Sequence, residues 1–294
     1  MRIGVHGREL DPARLDLLRH VLQRMEHHGL HVRLTPELAA CTGSAGLHTG
    51  LHTLEGPPRA DDLDLLIGLG GDGSLLDTMT FAGRSDVPVL GINLGRLGFL
   101  SSVRFEEVDA ALLALRNGEY ALQDRSLLEV TDHRDALGTR NFALNEVSVH
   151  KRDSASMIAI RVHLGEDYLN TYWADGLIIA TPTGSTAYSL SCGGPILYPT
   201  SDALVITPVA PHNLNVRPFV VPDHYTIRLN LEARGDRCLL NLDARSTTID
   251  GHATVTLRRA PFTLKLVQLE GHDFLRTLRD KLNWGLDMRS GSGG

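Results

Sequence analysis

Apolar positions in the first third of the chain follow two alternating spacings. Residues 2–6 and His31–Leu34 carry the short texture of strands, and 63–69 is an almost continuous apolar run suited to a parallel strand buried on both faces. Between them Leu15, Leu18, Val21, Leu22 and Met25 recur at helical spacing. Asp11 is placed to cap that helix, Pro12 to open it and Gly29 to end it. Residues 74–82 and 109–115 read as further helices, and 87–92 as a strand. Residues 36–60 hold Gly43, Gly46, Gly50, Gly56, Pro57 and Pro58 with little periodicity, and read as one long loop. Strands alternating with helices predict a parallel sheet with helices on its faces.

The texture changes near Leu127. Short alternating segments at 127–131, 142–149, 158–164, 225–231, 238–242, 253–257 and 263–269 are separated by turn residues such as Gly165-Glu166-Asp167. A β-rich second domain is therefore expected over 124–271. An α/β domain over 1–123 precedes it, completed by a helix within 272–290 that returns to it. The last residues, 291–294, read as a disordered tail.

At 294 residues the chain is long enough for two cores, and 42% hydrophobic with 22% charged residues is an ordinary globular balance. The net charge of -6 argues against nucleic acid as the main partner. Cys41, Cys192 and Cys238 are odd in number and widely spaced, as in a reduced cytoplasmic protein. Neither a signal-peptide pattern nor a run of the ~20 apolar residues needed to span a bilayer is found, so no membrane association is expected. Only Lys151, Lys265 and Lys281 are lysines, and no G-x-x-x-x-G-K-[ST] motif occurs, which excludes a P-loop enzyme.

Candidate chemistry begins where the 63–69 strand ends, at Gly70-Gly71-Asp72-Gly73-Ser74. Gly68, Gly70 and Gly73 satisfy G-x-G-x-x-G, yet the acidic residue expected about 20 positions later in a dinucleotide fold is missing from Gly91-Ile92-Asn93-Leu94-Gly95-Arg96-Leu97-Gly98-Phe99. A carboxylate beside phosphates is repulsive unless it holds a metal or takes a proton. The turn therefore reads better as a phosphoryl-transfer site, with Asp72 able to accept a hydroxyl proton and N–H groups at the helix start holding phosphate. A second segment runs from Asp175-Gly176 through Thr181-Pro182-Thr183-Gly184-Ser185-Thr186-Ala187-Tyr188-Ser189-Leu190-Ser191 to Pro195, and its hydroxyls and backbone donors suit a ligand rich in acceptors. Asn145-Glu146 can bind vicinal sugar hydroxyls or simply edge a strand. His48 and His52 lack a third ligand for a metal.

Taken in order, the 70–74 turn, 91–100, Asn145-Glu146, 175–195, 206–212, Arg217-Pro218 and Ile249-Asp250-Gly251 resemble the NAD kinase family. The glycine turn alone is shared with 6-phosphofructokinases and with diacylglycerol and sphingosine kinases, whereas the 175–195 segment is far more specific. The resemblance implies an α/β N-terminal domain, a β-rich C-terminal domain and a final helix returning to the first. It also implies transfer of the terminal phosphoryl group of ATP, or of another polyphosphate donor, to the 2′-hydroxyl of the adenosine ribose of NAD. Asp72 would be the general base, and Gly73 would hold phosphate. Asn145 and Glu146 would bind ribose and adenine, and Asp175 the nicotinamide side. Thr183 and Thr186, Ala187, Tyr188, Ser189, Leu190 and Ser191 would close around the dinucleotide, with Phe99, Ala210 and His252 nearby. Mg²⁺ or another divalent metal would arrive with the donor and screen its phosphates, with no protein residue assigned as its ligand. A homodimer or homotetramer is implied. Ser74 stands where the family usually has Thr, and Cys192 where it often has Ala.

Overall fold

The computed structural model describes residues 1–7, 12–44, 51–95, 98–101, 103–152, 156–271 and 273–284. Asp11, His48 and the tail expected at 291–294 lie outside them. The chain divides into two compact units, Met1–Gln123 with Lys265–Gly294, and Asp124–Leu264.

The first unit is built on a sheet ordered His52–Thr53, His31–Leu34, Arg2–Gly7, Leu65–Leu69, Val89–Asn93, Leu264–Leu269 and Tyr120–Arg125, with Val103–Arg104 beside Val89–Asn93. Pairing is parallel from His52–Thr53 through to Leu264–Leu269. Every residue of Leu65–Leu69 is buried, as its unbroken apolar run requires. Leu18, Val21, Leu22 and Met25 of the helix Pro12–His27 share a core with Ile3, Val5, Val32 and Leu34. Each fully buried side chain of this size stabilises the fold by roughly 1.5–3 kcal/mol. The helices Asp72–Ala82 and Val108–Asn117 follow the strands that precede them.

Two sequence expectations for this unit are corrected. Residues 36–60 are not one loop: Pro36–Ser44 is a helix and His52–Thr53 an edge strand. Pro36 opens the helix, Glu37 sits in its first turn and Leu38 is fully buried, enough to form two turns despite Gly43. The segment at 263–269 is a strand but not part of the β-rich fold. Leu264–Leu269 lies inside the first sheet, with Leu266 opposite Val89, and its Leu264, Leu266, Val267 and Leu269 are all buried. The closing helix, Phe274–Leu282, is capped by Asp273, whose side chain accepts the Arg276 N–H, and belongs to the same unit.

The second unit holds two six-stranded sheets. One runs Phe219–Pro222, Ala203–Val209, Gly176–Ala180, Glu146–Lys151, Arg237–Leu242, Arg245–Asp250; the other runs Asp167–Ala174, Ile158–Leu164, Ile227–Glu232, Thr254–Arg259, Leu128–Val130, Phe142–Ala143. Their pairings are antiparallel. One apolar core draws on both, including Val147, Val149, Leu177, Ile179, Ile160, Leu229 and Leu257. Four strands escape the sequence pattern. Asp167–Ala174, Phe219–Pro222 and Arg245–Asp250 are edge strands with little apolar alternation. Ala203–Val209 is internal, but Pro208 breaks the strand signature.

Candidate active site

The helix Asp72–Ala82 begins where the buried strand Leu65–Leu69 ends. Gly70 turns the chain at φ 130, a conformation open to glycine, and its N–H donates to the Ile92 carbonyl. Gly71 occupies the N-cap position in extended backbone and supplies no side-chain cap, so the first N–H groups of the helix stay open to an anion. Asp72 itself does not cap the helix. Its carboxylate reaches to the second glycine-rich segment, where Oδ2 accepts the Phe99 N–H at 2.7 Å and Oδ1 accepts those of Leu100 and Ser101, each at 3.1 Å. A Cβ on Gly98 would overlap that carboxylate, so glycine there is a requirement of space. A carboxylate has about four lone-pair positions. Among the described residues three are filled, which leaves one on Oδ2.

In the second unit, Glu146, Ser148 and His150 alternate along Glu146–Lys151 with Val147 and Val149, which enter the core. Ser148 Oγ and His150 Nε2 lie 3.1 Å apart. The His150 ring stacks on Tyr188, with centroids 5.7 Å apart and planes at 28°. Asp175 pairs with Lys151 at 2.6 Å, and its N–H donates to the Val209 carbonyl. Glu146, Asp175 and Cys192 all act on the Tyr188 hydroxyl, whose pKa is raised first by burial and then by these groups. Burial lowers the pKa of His150, with Asp175 opposing.

Glu146 is a strongly perturbed carboxyl. Burial, and secondarily the nearby Asp243, push its pKa up to about 8, and its Oε2 is buried with no hydrogen-bond partner. A carboxyl that keeps its proton at neutral pH can donate as well as accept. Asp243, at φ 52, accepts the N–H groups of Leu144, Asn145 and Glu146 at 2.9, 2.7 and 3.2 Å. Burial raises its pKa, opposed by those three donors and by Arg245.

The 181–191 segment is built differently from the expectation. Of its six hydroxyls, five bond within the protein rather than facing outward. Thr181 donates to the Leu144 carbonyl, Ser185 to Pro182, Thr186 to Thr183, while Ser189 pairs with Thr207 and Thr183 accepts from Arg125. They shape the loop and hold it against Asn145, whose carbonyl accepts the Thr181 N–H. Ser191 is the exposed one. Leu190 and Ala187 are half-buried, Tyr188 is exposed, and the Ala187 N–H closes the turn on Gly184. Gly73 is exposed at the helix start. Ala210 takes φ 46 at the end of Ala203–Val209, a strained position for a residue with a Cβ. His252 is exposed in the turn after Arg245–Asp250; its N–H donates to Asp250, and its ring has no partner among the described residues.

Four residues were missed by sequence reasoning. Arg125 is buried, its pKa lowered by burial to about 10, and its Nη1 donates to Thr183 Oγ1 at 3.3 Å. His150 was legible as an outward position in step with Glu146, whereas Lys151, in step with Val147 and Val149, was marked only by its place at the strand's end. Asp243 had only a turn context, Leu242-Asp243-Ala244-Arg245, to announce it. Among the described residues no three His, Cys, Asp or Glu side chains cluster as a metal site would need. No described helix is long and apolar enough to cross a membrane.

Residues 47–120 match the family model described as ATP-NAD kinase N-terminal domain, and 144–269 the one described as ATP-NAD kinase C-terminal domain. The NAD kinase of Christiangramia forsetii is 37% identical over 99% of this chain and 100% of its own length. That of Flavobacterium johnsoniae is 47% identical over 78% of this chain and 79% of its own. A crystal structure of yeast NADH kinase complexed with NADH superposes with a TM-score of 0.84 at 25% identity, covering 98% of this chain and 89% of that one. An Archaeoglobus fulgidus NAD kinase in complex with ATP shares the fold, with a TM-score of 0.74 at 23% identity over 96% of this chain and 99% of that one.

Proposed function

The chain belongs to the NAD kinase family, enzymes that phosphorylate NAD, and we propose that Asp72 is the general base of that reaction here. The acceptor is the 2′-hydroxyl of the adenosine ribose, and the donor is ATP or another polyphosphate. One observation supports this reading above the rest: among the described residues the Asp72 carboxylate is held by three backbone N–H groups with a lone-pair position left on Oδ2, beside an uncapped helix start.

The hydroxyl proton passes to Asp72 Oδ2 as its oxygen forms the new bond to phosphorus, and the bond to the donor's leaving phosphate breaks. A loose transition state of this kind depends on positioning and charge stabilisation, so a fixed carboxylate matters more than a strong base. N–H groups at Gly73 and Ser74 take phosphate oxygens. Asn145 and Glu146 bind ribose and adenine, with the protonated Glu146 able to donate. Asp175 binds the nicotinamide side, and Thr183, Thr186, Ala187, Tyr188, Ser189, Leu190 and Ser191 surround the dinucleotide. The inward hydroxyls of Thr183, Thr186 and Ser189 act through loop shape, which leaves backbone groups and Tyr188 for contact. Phe99 and Ala210 contribute backbone, and His252 its free ring. Mg²⁺ or another divalent metal would come with the donor and screen the charge on its phosphates.

Self-association as a dimer or tetramer belongs to the same proposal. Exposed Tyr168 and Trp173 on one edge strand, and Phe219 and Val220 on another, support it. Purified chain given NAD and a panel of ATP, other nucleoside triphosphates and polyphosphate should form NADP with at least one donor. Failure with every donor would refute the reading. Running the panel with NADH fixes the preferred redox form.

A further inference from the structure

A cavity of about 370 Å³ in the second unit has a charge pattern that the proposed reaction does not use. Its charged lining among the described residues is Lys151, Arg152, Arg234, Asp236 and Arg237. Four of these side chains are cationic and one is acidic, in a chain whose net charge is -6. Converging cations repel unless an anion lies among them. Lys151 already has Asp175 as its partner. Arg234 and Arg237 are exposed and make no ion pair among the described residues. Their turn is held in place: the Ala233 N–H donates to the Gly251 carbonyl, and the Gly251 N–H to that of Asp236. A Cβ on Gly251 would overlap the Gly235 carbonyl, so the two turns are in close contact. Two guanidinium forks are thus presented from a pinned turn, beside the end of the strand Glu146–Lys151.

We propose that this cavity binds a small phosphate-type oxyanion carrying several negative charges, held bidentately by Arg234 and Arg237 with Lys151 at its edge. Guanidinium forks match phosphate oxygens in pairs, and a volume of this size takes a di- or triphosphate but not a whole dinucleotide.

Pyrophosphate titrated calorimetrically into the full-length chain tests the assignment, with sulfate at matched ionic strength as the screening control. Wild type should take up one more pyrophosphate per chain than R234Q/R237Q. R234K/R237K, which keeps the charge and loses the forks, should bind there at least about tenfold more weakly. Both variants should phosphorylate NAD with kcat/KM within about twofold of wild type. Uptake unchanged in R234Q/R237Q overturns the proposal, as does equal heat from sulfate. Loss of NAD phosphorylation together with pyrophosphate uptake also overturns it, because the cavity would then be part of the active site.

Discussion

Asp72 and Asp243 solve the same local problem in two separate units. Each carboxylate accepts three consecutive backbone N–H groups, from Phe99, Leu100 and Ser101 in one case and from Leu144, Asn145 and Glu146 in the other. Their surroundings differ. Asp72 stands at an uncapped helix start among glycines. Burial raises the pKa of Asp243, which also faces a second carboxyl, Glu146, pushed up to about 8. The first arrangement leaves an acceptor available for chemistry. The second orients the residues proposed to bind substrate and has its acceptors turned to the loop it holds. A carboxylate bound by N–H groups is therefore not by itself a catalytic signature; what borders its last lone pair decides the role.

Beyond loss of the Asp72 carboxyl itself, the largest effect that would break this contrast is expected at Gly98. Gly98→Ala puts a Cβ where the Asp72 carboxylate lies, so kcat for NAD phosphorylation should fall by roughly 10²-fold or more, as for loss of a positioned base. Steady-state kinetics with near wild-type turnover would mean that the carboxylate need not sit there. Asp243→Asn comes next. An amide keeps one acceptor oxygen and turns N–H donors toward a loop of donors, which should cost about 2–4 kcal/mol in denaturant unfolding and raise the KM for NAD more than it lowers kcat.

The smallest effect concerns Glu146. Its folded pKa of about 8 lies above the ordinary 4.5, so the folded state binds the proton more tightly than the unfolded chain. Stability from this group is thus full below about pH 4.5 and is lost as pH rises toward 8. Glu146→Gln should flatten that fall and stabilise the protein at pH 8.5 by about 1–2 kcal/mol, with little change at pH 5. Unfolding midpoints at the two pH values check it, and an equal effect at both would remove the role assigned to burial.

The legible parts of the molecule were those whose signal is local. The 63–69 run announced a strand buried on both faces, and the glycines around Asp72 announced a turn that lets backbone approach a ligand. Partners were not legible. Periodicity marks 263–269 as a strand but carries nothing about its neighbour, and Leu266 lies opposite Val89, far back in the chain. Asp243 lies 97 to 99 residues from the loop it holds. The hydroxyls of 181–191 were visible, yet composition could not tell inward bonds that shape a loop from outward bonds to a ligand. Edge strands such as Arg245–Asp250 lack the apolar alternation that would mark them.

The central claim is that Asp72 takes the acceptor's proton, and turnover of Asp72→Asn tests it most directly. Measured with saturating NAD and ATP, kcat should drop by about 10²- to 10⁴-fold, while NAD affinity by direct titration changes far less. Combining the change with Gly98→Ala should add little further loss, since both act on one carboxylate. Wild-type turnover by Asp72→Asn would contradict the assignment and leave Asp72, like Asp243, as a residue that only holds a loop.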